Sequence, residues 1–202
     1  MSAIIVLHAA LPGHAPCGEA ALLGALPYAK RLELERREPL ARQASLCGIG
    51  LALECLARLR GAPVGARELR FPADGKPFVP GGPFFSISHT AGRVACAASV
   101  VVDCGLDLEA LDGASSGPAG GIDRLRRWTA VEAVLKAAGV GLRSAKGVRL
   151  SERLSGASFG GQQYELRELS LVPGIIAHVA ARGPLGEVTV EARVTARAAP
   201  AP

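Results

Sequence analysis

The stretch "RVACAASVVVDCGLDLEAL", residues 93–111, decides how the rest of the chain is read. It opens as an apolar, half-buried strand and ends by placing Asp107 and Glu109 one residue apart. Side chains alternate along a strand, so these two carboxylates share one face while Leu106 and Leu108 share the other. Two like charges that close raise each other's proton affinity unless a cation lies between them. Mg²⁺ suits such a pair, because it takes oxygen ligands, often one or two carboxylates, and completes its shell with water and phosphate oxygens. The plainer alternative is a pair of ordinary acids on a solvated strand face.

Working outward, "IDRLRRWTAVEAVLKAAG" (122–139) reads as a helix stopped by a glycine. Glu132 and Lys136 stand one turn apart on it, Glu first, the favourable order for a pair on a helix surface. Trp128, Ala133, Leu135 and Ala137 beside them argue for a helix packed in the protein rather than a solvated one. Upstream, "PFFSISHT" reads as a strand next to the opening stretch. Ser88 and His89 are neighbours on it and point to opposite faces, which argues against a Ser–His nucleophile pair. His89 suits donation to an anion, or a strand-end bond to backbone. "GKP" (75–77) puts Lys76 on a turn, where a solvated lysine is the ordinary expectation.

The remaining elements follow the same plan. "AIIVLHA" is a first strand. "EAALLGALP" and "YAKRLELERREP" are short helices, the second broken by Pro39. "LARQASLCGIGLALECLARLRG" is the strongest helix, with Leu46, Ile49, Leu53 and Leu56 at three- and four-residue steps and Gly61 at the stop. "ELRFPADGKPFVPGG" is hairpin-like and turn-rich, and "DGASSGPAGG" (112–121) is a loop. "YELRELSLVPGIIAHVAAR" and "EVTVEARVTA" are strands, and "RAAPAP" is a tail. Strands and a long helix occur twice, which predicts an α+β protein of two similar lobes, each a small antiparallel sheet packed with a long helix. The expected boundaries are 1–104 for the N-terminal lobe, 105–196 for the C-terminal lobe and 197–202 for a disordered tail.

The 202 residues are 49% apolar, enough for a substantial core. A formal charge of +5 favours an anionic partner: nucleic acid, a small phosphate ligand or an acidic protein. The basic residues form no run and aromatics are only 4%, which speaks against nucleic acid. Five cysteines (Cys17, Cys47, Cys55, Cys96, Cys104) with no CxxC pair suggest buried thiols in a reducing cytosol rather than disulfides or zinc. "MSAIIVLHAALPG" has no basic flank and too short an apolar core for a signal peptide, and no later run reads as a membrane span. The expectation is a cytoplasmic protein without membrane contact.

Taken in order, "GKP" (75–77), "FSISHT" (85–90), "GLDLE" (105–109) and "WTAVEAVLKAAGVGL" (128–142) resemble the 4′-phosphopantetheinyl transferase superfamily, in its monomeric two-lobed branch. "LPYAKRLELERREPLARQASL" (26–46) is similar to that branch's leading helical segment. The resemblance implies the family fold and the transfer of the phosphopantetheine arm of coenzyme A to a serine of an acyl or peptidyl carrier protein, with release of 3′,5′-ADP. It implies that Asp107, Glu109 and Glu132 hold Mg²⁺ and that Glu132 helps to deprotonate the serine. Lys136 would meet the diphosphate, and Lys30, Arg31, Arg42, Lys76, Ser88 and His89 would bind the 3′-phosphoadenosine end and the diphosphate. Two departures stand out. Val131 occupies the place of a lysine usual before the glutamate, and residues 110–127 are shorter than the insert of the larger members. These point to the alternative of a degenerate relative that binds coenzyme A or a carrier without efficient transfer.

Overall fold

The structure, a computed structural model, describes residues 3–11, 18–72, 75–111 and 121–193. It is α+β, with two sheets and one long helix on each. The first sheet has the order β2-β3-β1-β9, built from β1 (Ala3–Ala10), β2 (Phe84–Thr90), β3 (Arg93–Ser99) and β9 (Glu187–Arg193). The second has the order β4-β8-β7-β6-β5, built from β4 (Cys104–Ala110), β5 (Arg149–Leu150), β6 (Gly156–Phe159), β7 (Gln162–Leu169) and β8 (Ile175–Arg182). Every pairing in the second sheet is antiparallel. The first is mixed, because β9 returns from the end of the chain to lie parallel to β1, Ile5 opposite Thr189.

Three apolar clusters set the layers. Leu7, Ala9, Val94, Cys96 and Ala98 pack under α3 (Pro39–Arg60). Their alternate neighbours Ile4, Val6, Ala95 and Ala97 meet Leu106, Leu108, Ala177 and Val179 from the other sheet. The opposite face of that second sheet carries Leu166 and Ala180 against Ala130, Ala133, Val134 and Ala137 of α4 (Gly121–Ala138). The order is therefore helix, sheet, sheet, helix. β1, β3 and β8 are covered on both sides, which explains why they read as continuous apolar runs instead of alternating patterns.

Several expectations from the sequence are met, refined or corrected here. Pro39 does more than end the charged helix α2 (Tyr28–Glu35): it is the first residue of α3, where its fixed φ and missing N–H suit a helix start. α3 itself is, at 22 residues, long and apolar enough to cross a membrane by length and composition, contrary to the reading that no such run exists; its apolar side packs on the first sheet. In the turn-rich, hairpin-like segment 68–82, Arg70 and Phe78 form an antiparallel bridge, preceded by a 3₁₀ turn at Ala66–Glu68. Cys47, Cys55, Cys96 and Cys104 are buried free thiols, and burial pushes Cys104 up to about 12. Cys17, the loop at 112–120 and the tail at 197–202 lie outside the described residues.

Candidate functional site

The site forms where α4 presses onto β4. Gly105 allows it: a Cβ there would sit 2.0 Å from the Ala133 carbonyl oxygen and 2.3 Å from the Ala137 nitrogen. Only a residue without a side chain lets the helix backbone come this close. That approach brings Glu132 and Lys136 over the carboxylate face of β4. One ligand oxygen from each of Asp107, Glu109 and Glu132 lies within 4.8 Å of the others, so the three carboxylates form a cluster able to hold a metal ion.

Asp107 is the innermost member, 2% exposed. Its Oδ1 accepts from Lys136 Nζ at 2.5 Å and from the Ser88 hydroxyl at 3.0 Å. Its Oδ2 is buried without a hydrogen-bond partner. A buried carboxylate oxygen with no donor is costly, and a bound cation relieves that cost. The donor set, three carboxylates and no nitrogen or sulfur, fits a hard cation. Glu132 is largely enclosed. Burial first, and then the charge of Asp107, raise its pKa, while Lys136 4.0 Å away pulls it down. The indole of Trp128, the chain's single tryptophan, also bonds to Glu132 one turn later on α4 and favours its charged form.

β2 supplies the other wall. Its hydroxyls Ser86, Ser88 and Thr90 accept from the amides of Leu106, Leu108 and Ala110 at 3.0, 3.3 and 3.1 Å. This ladder joins the edge of one sheet to the edge of the other and holds Ser88 against Asp107. On the far side of β4, His178 of β8 stands opposite Asp107 in register. It is fully buried, its Nδ1 is 2.8 Å from the Thr129 hydroxyl, and burial lowers its pKa.

Two adjoining hollows open beside this cluster, sharing Gly75, Pro77 and Ile87. One, of about 320 Å³, is lined by Lys76, Ser86, Lys136 and Gly139. The other, of about 520 Å³, is lined by Lys30, Phe71, Ile87 and His89. Burial, followed by the positive charges of Lys136 and Arg37, lowers the pKa of His89.

Of the residues singled out from the sequence, Asp107, Glu109, Glu132, Lys136 and Ser88 come together, and Lys30 and His89 line the larger hollow. Lys30 is held by Glu33 at 3.0 Å and lies over the Phe71 ring. Arg31 and Arg42 line neither hollow; Arg31 lies against Tyr28 and Glu35 on its own helix. Lys76 is not solvated, as its turn suggested. It donates to Cys104 O at 2.6 Å and pairs with Asp103 at 3.4 Å. The sequence reading missed Arg37, which bonds Glu33 and Ser45 and is the arginine whose charge reaches His89. Its i,i+4 spacing from Glu33 was the available signal. No known family model matches the chain, and no curated protein matches it at a significant level.

Proposed function

We propose that this chain is a Mg²⁺-dependent 4′-phosphopantetheinyl transferase with the two-lobed fold of that superfamily, acting on coenzyme A and an acyl or peptidyl carrier protein. The observation that carries the reading is the unpartnered Oδ2 of Asp107, buried in a three-carboxylate cluster beside a lysine and a groove. The order of the four sequence motifs supports the same conclusion. Asp107, Glu109 and Glu132 would hold Mg²⁺, which neutralises diphosphate oxygens and supplies Lewis-acid charge.

Glu132, with its raised pKa, is suited to take the proton of the carrier serine, directly or through a water. As the serine oxygen bonds to the phosphorus that bears the pantetheine arm, that phosphorus loses its bond to the bridging oxygen. 3′,5′-ADP departs with the electron pair. Lys136 meets the charge on the diphosphate, and Lys30 and His89 offer cationic and donor groups at the far end of the groove.

Val131 favours a second reading, binding without efficient transfer. It packs against the apolar cluster under α4, where the family has a cation. Incubation with coenzyme A, Mg²⁺ and a panel of apo carrier proteins, read by intact mass and 3′,5′-ADP release, tests both. A mass gain of one phosphopantetheine on a carrier is expected. Coenzyme A binding with no carrier modified would select the second reading, and binding of neither would remove both.

A further inference from the structure

Lys136 occupies a place that a cation among the carboxylates needs. Its Nζ lies 2.5 Å from Asp107 Oδ1, 3.0 Å from Ser88 Oγ and 4.0 Å from Glu132 Oε2. Asp107 and Glu132 are thus already served by this ammonium. A divalent ion entering the same cluster would stand within a few ångströms of that ammonium, in a half-enclosed site where repulsion between cations is weakly screened. Room for the lysine to turn lies beside it: its side chain is 30% exposed and lines the smaller hollow, which Ser86 also lines.

We propose that Lys136 is a tethered counter-ion that plugs the carboxylate cluster in the metal-free protein and swings to a phosphate when the metal enters. Metal and phosphate binding are thereby coupled through one side chain. A bare divalent cation binds weakly, because it must strip the ammonium from Asp107 with no anion to receive it. A diphosphate gives Lys136 a new partner and leaves Asp107 Oδ1 to join Oδ2 in facing the metal. The inference rests on the metal reading of the cluster but requires no transfer activity.

The test is Mg²⁺ titration of the wild type, Lys136→Met and Lys136→Gln, followed by calorimetry and by the fluorescence of Trp128. Each is run alone and with inorganic pyrophosphate. Thermal melting in Mg²⁺ and in chelator gives a second readout. Lys136→Met should bind bare Mg²⁺ roughly tenfold tighter than the wild type, and pyrophosphate should raise its Mg²⁺ affinity by a smaller factor. Its melting temperature should be lowered in chelator and recover more on adding Mg²⁺ than the wild type gains. If Met disturbs the fold, Gln carries the same expectation. Bare Mg²⁺ affinity that is unchanged or weaker in a folded variant overturns the role of Lys136, whatever the activity assay gives. Absence of Mg²⁺ binding by any form, even with pyrophosphate, overturns the metal reading as well. Mg²⁺ behaviour as expected, without modification of any carrier, sinks the transferase proposal alone.

Discussion

α3 and α4 each lie across a sheet with a glycine at the closest contact, but the glycine belongs to the helix in one case and to the strand in the other. On α3, a Cβ at Gly48 would meet Ile87 Cγ2 at 2.5 Å and Val94 Cγ2 at 3.3 Å. Those are methyls of β-branched side chains, which must shift but do not belong to the main chain. On β4, a Cβ at Gly105 would meet the main chain of α4 itself. The surroundings differ in the same direction. The buried face of α3 is wholly apolar, from Leu46 through Leu56. α4 brings Thr129, Glu132 and Lys136 to its sheet alongside alanines, valine and leucine. The first half meets its sheet through apolar side chains, with Lys30 and His89 gathered at the hollow beside that contact. The second is rigid at the contact that aligns its charges.

Four measurements would break or sharpen that contrast. Glu132→Gln carries the largest expected effect. It keeps the size of the side chain and its helix propensity while removing charge and a basic oxygen. Carrier modification should fall by about 10²–10⁴-fold, roughly 2.7–5.4 kcal/mol of barrier, with circular dichroism unchanged. A folded variant retaining more than about a tenth of the wild-type rate would refute the assignment of acid–base work to α4.

Gly105→Ala comes next. Backbone against backbone leaves no relaxation, so denaturant melts should show a loss at or above the upper end of the ordinary overpacking range, about 3 kcal/mol. Mg²⁺ binding should go with it, since the helix must lift away from β4.

Each half also buries a histidine, His8 in β1 and His178 in β8, and burial lowers the pKa of both. The unfolded chain binds their protons more readily than the folded one. Stability from these groups is therefore complete above the unfolded value near 6.5 and declines as pH falls through the depressed folded values. Unfolding between pH 7 and 5 should become easier by about 1.4 kcal/mol per unit of separation for each ring. His8→Gln and His178→Gln, compared singly, would show which half carries the acid sensitivity; a flat profile in the wild type would refute it for both.

Gly48→Ala should have the smallest effect. Alanine gains about 1 kcal/mol in helix propensity over glycine, and this offsets part of the displacement of Ile87. A net change within about 1 kcal/mol is expected by the same melts. A loss as large as that of Gly105→Ala would erase the distinction between the two contacts.

The carboxylates were legible because strand and helix periods are local: Asp107 and Glu109 by the step of two, Glu132 and Lys136 by the step of four. Spacing alone did not show their convergence, which only the family resemblance implied, since it depends on a helix approach that one glycine permits. The parallel return of β9 to β1 escaped for a related reason, as nothing near residue 187 encodes a partner at residue 3. Lys76 read as solvated because its neutralising groups, Asp103 and the Cys104 carbonyl, come from a distant connection. The alternation in "FSISHT" was visible, but the bonds of Ser86, Ser88 and Thr90 to the neighbouring edge's amides were not, because that edge lies 20 residues further along the chain.

That row of hydroxyls explains why the molecule has two sheets instead of one continuous sheet. β4 is the outermost strand of its sheet, and such a strand ordinarily invites another chain to add to it. Here Ser86, Ser88 and Thr90 take the inviting amides with side-chain oxygens, so β2 guards the border without crossing it. The guard is spaced at every second residue and so tolerates no one-residue slip. Replacing the three with valines would keep the strand-forming character and bare the amides, turning a sealed border into a template for fibrous self-association.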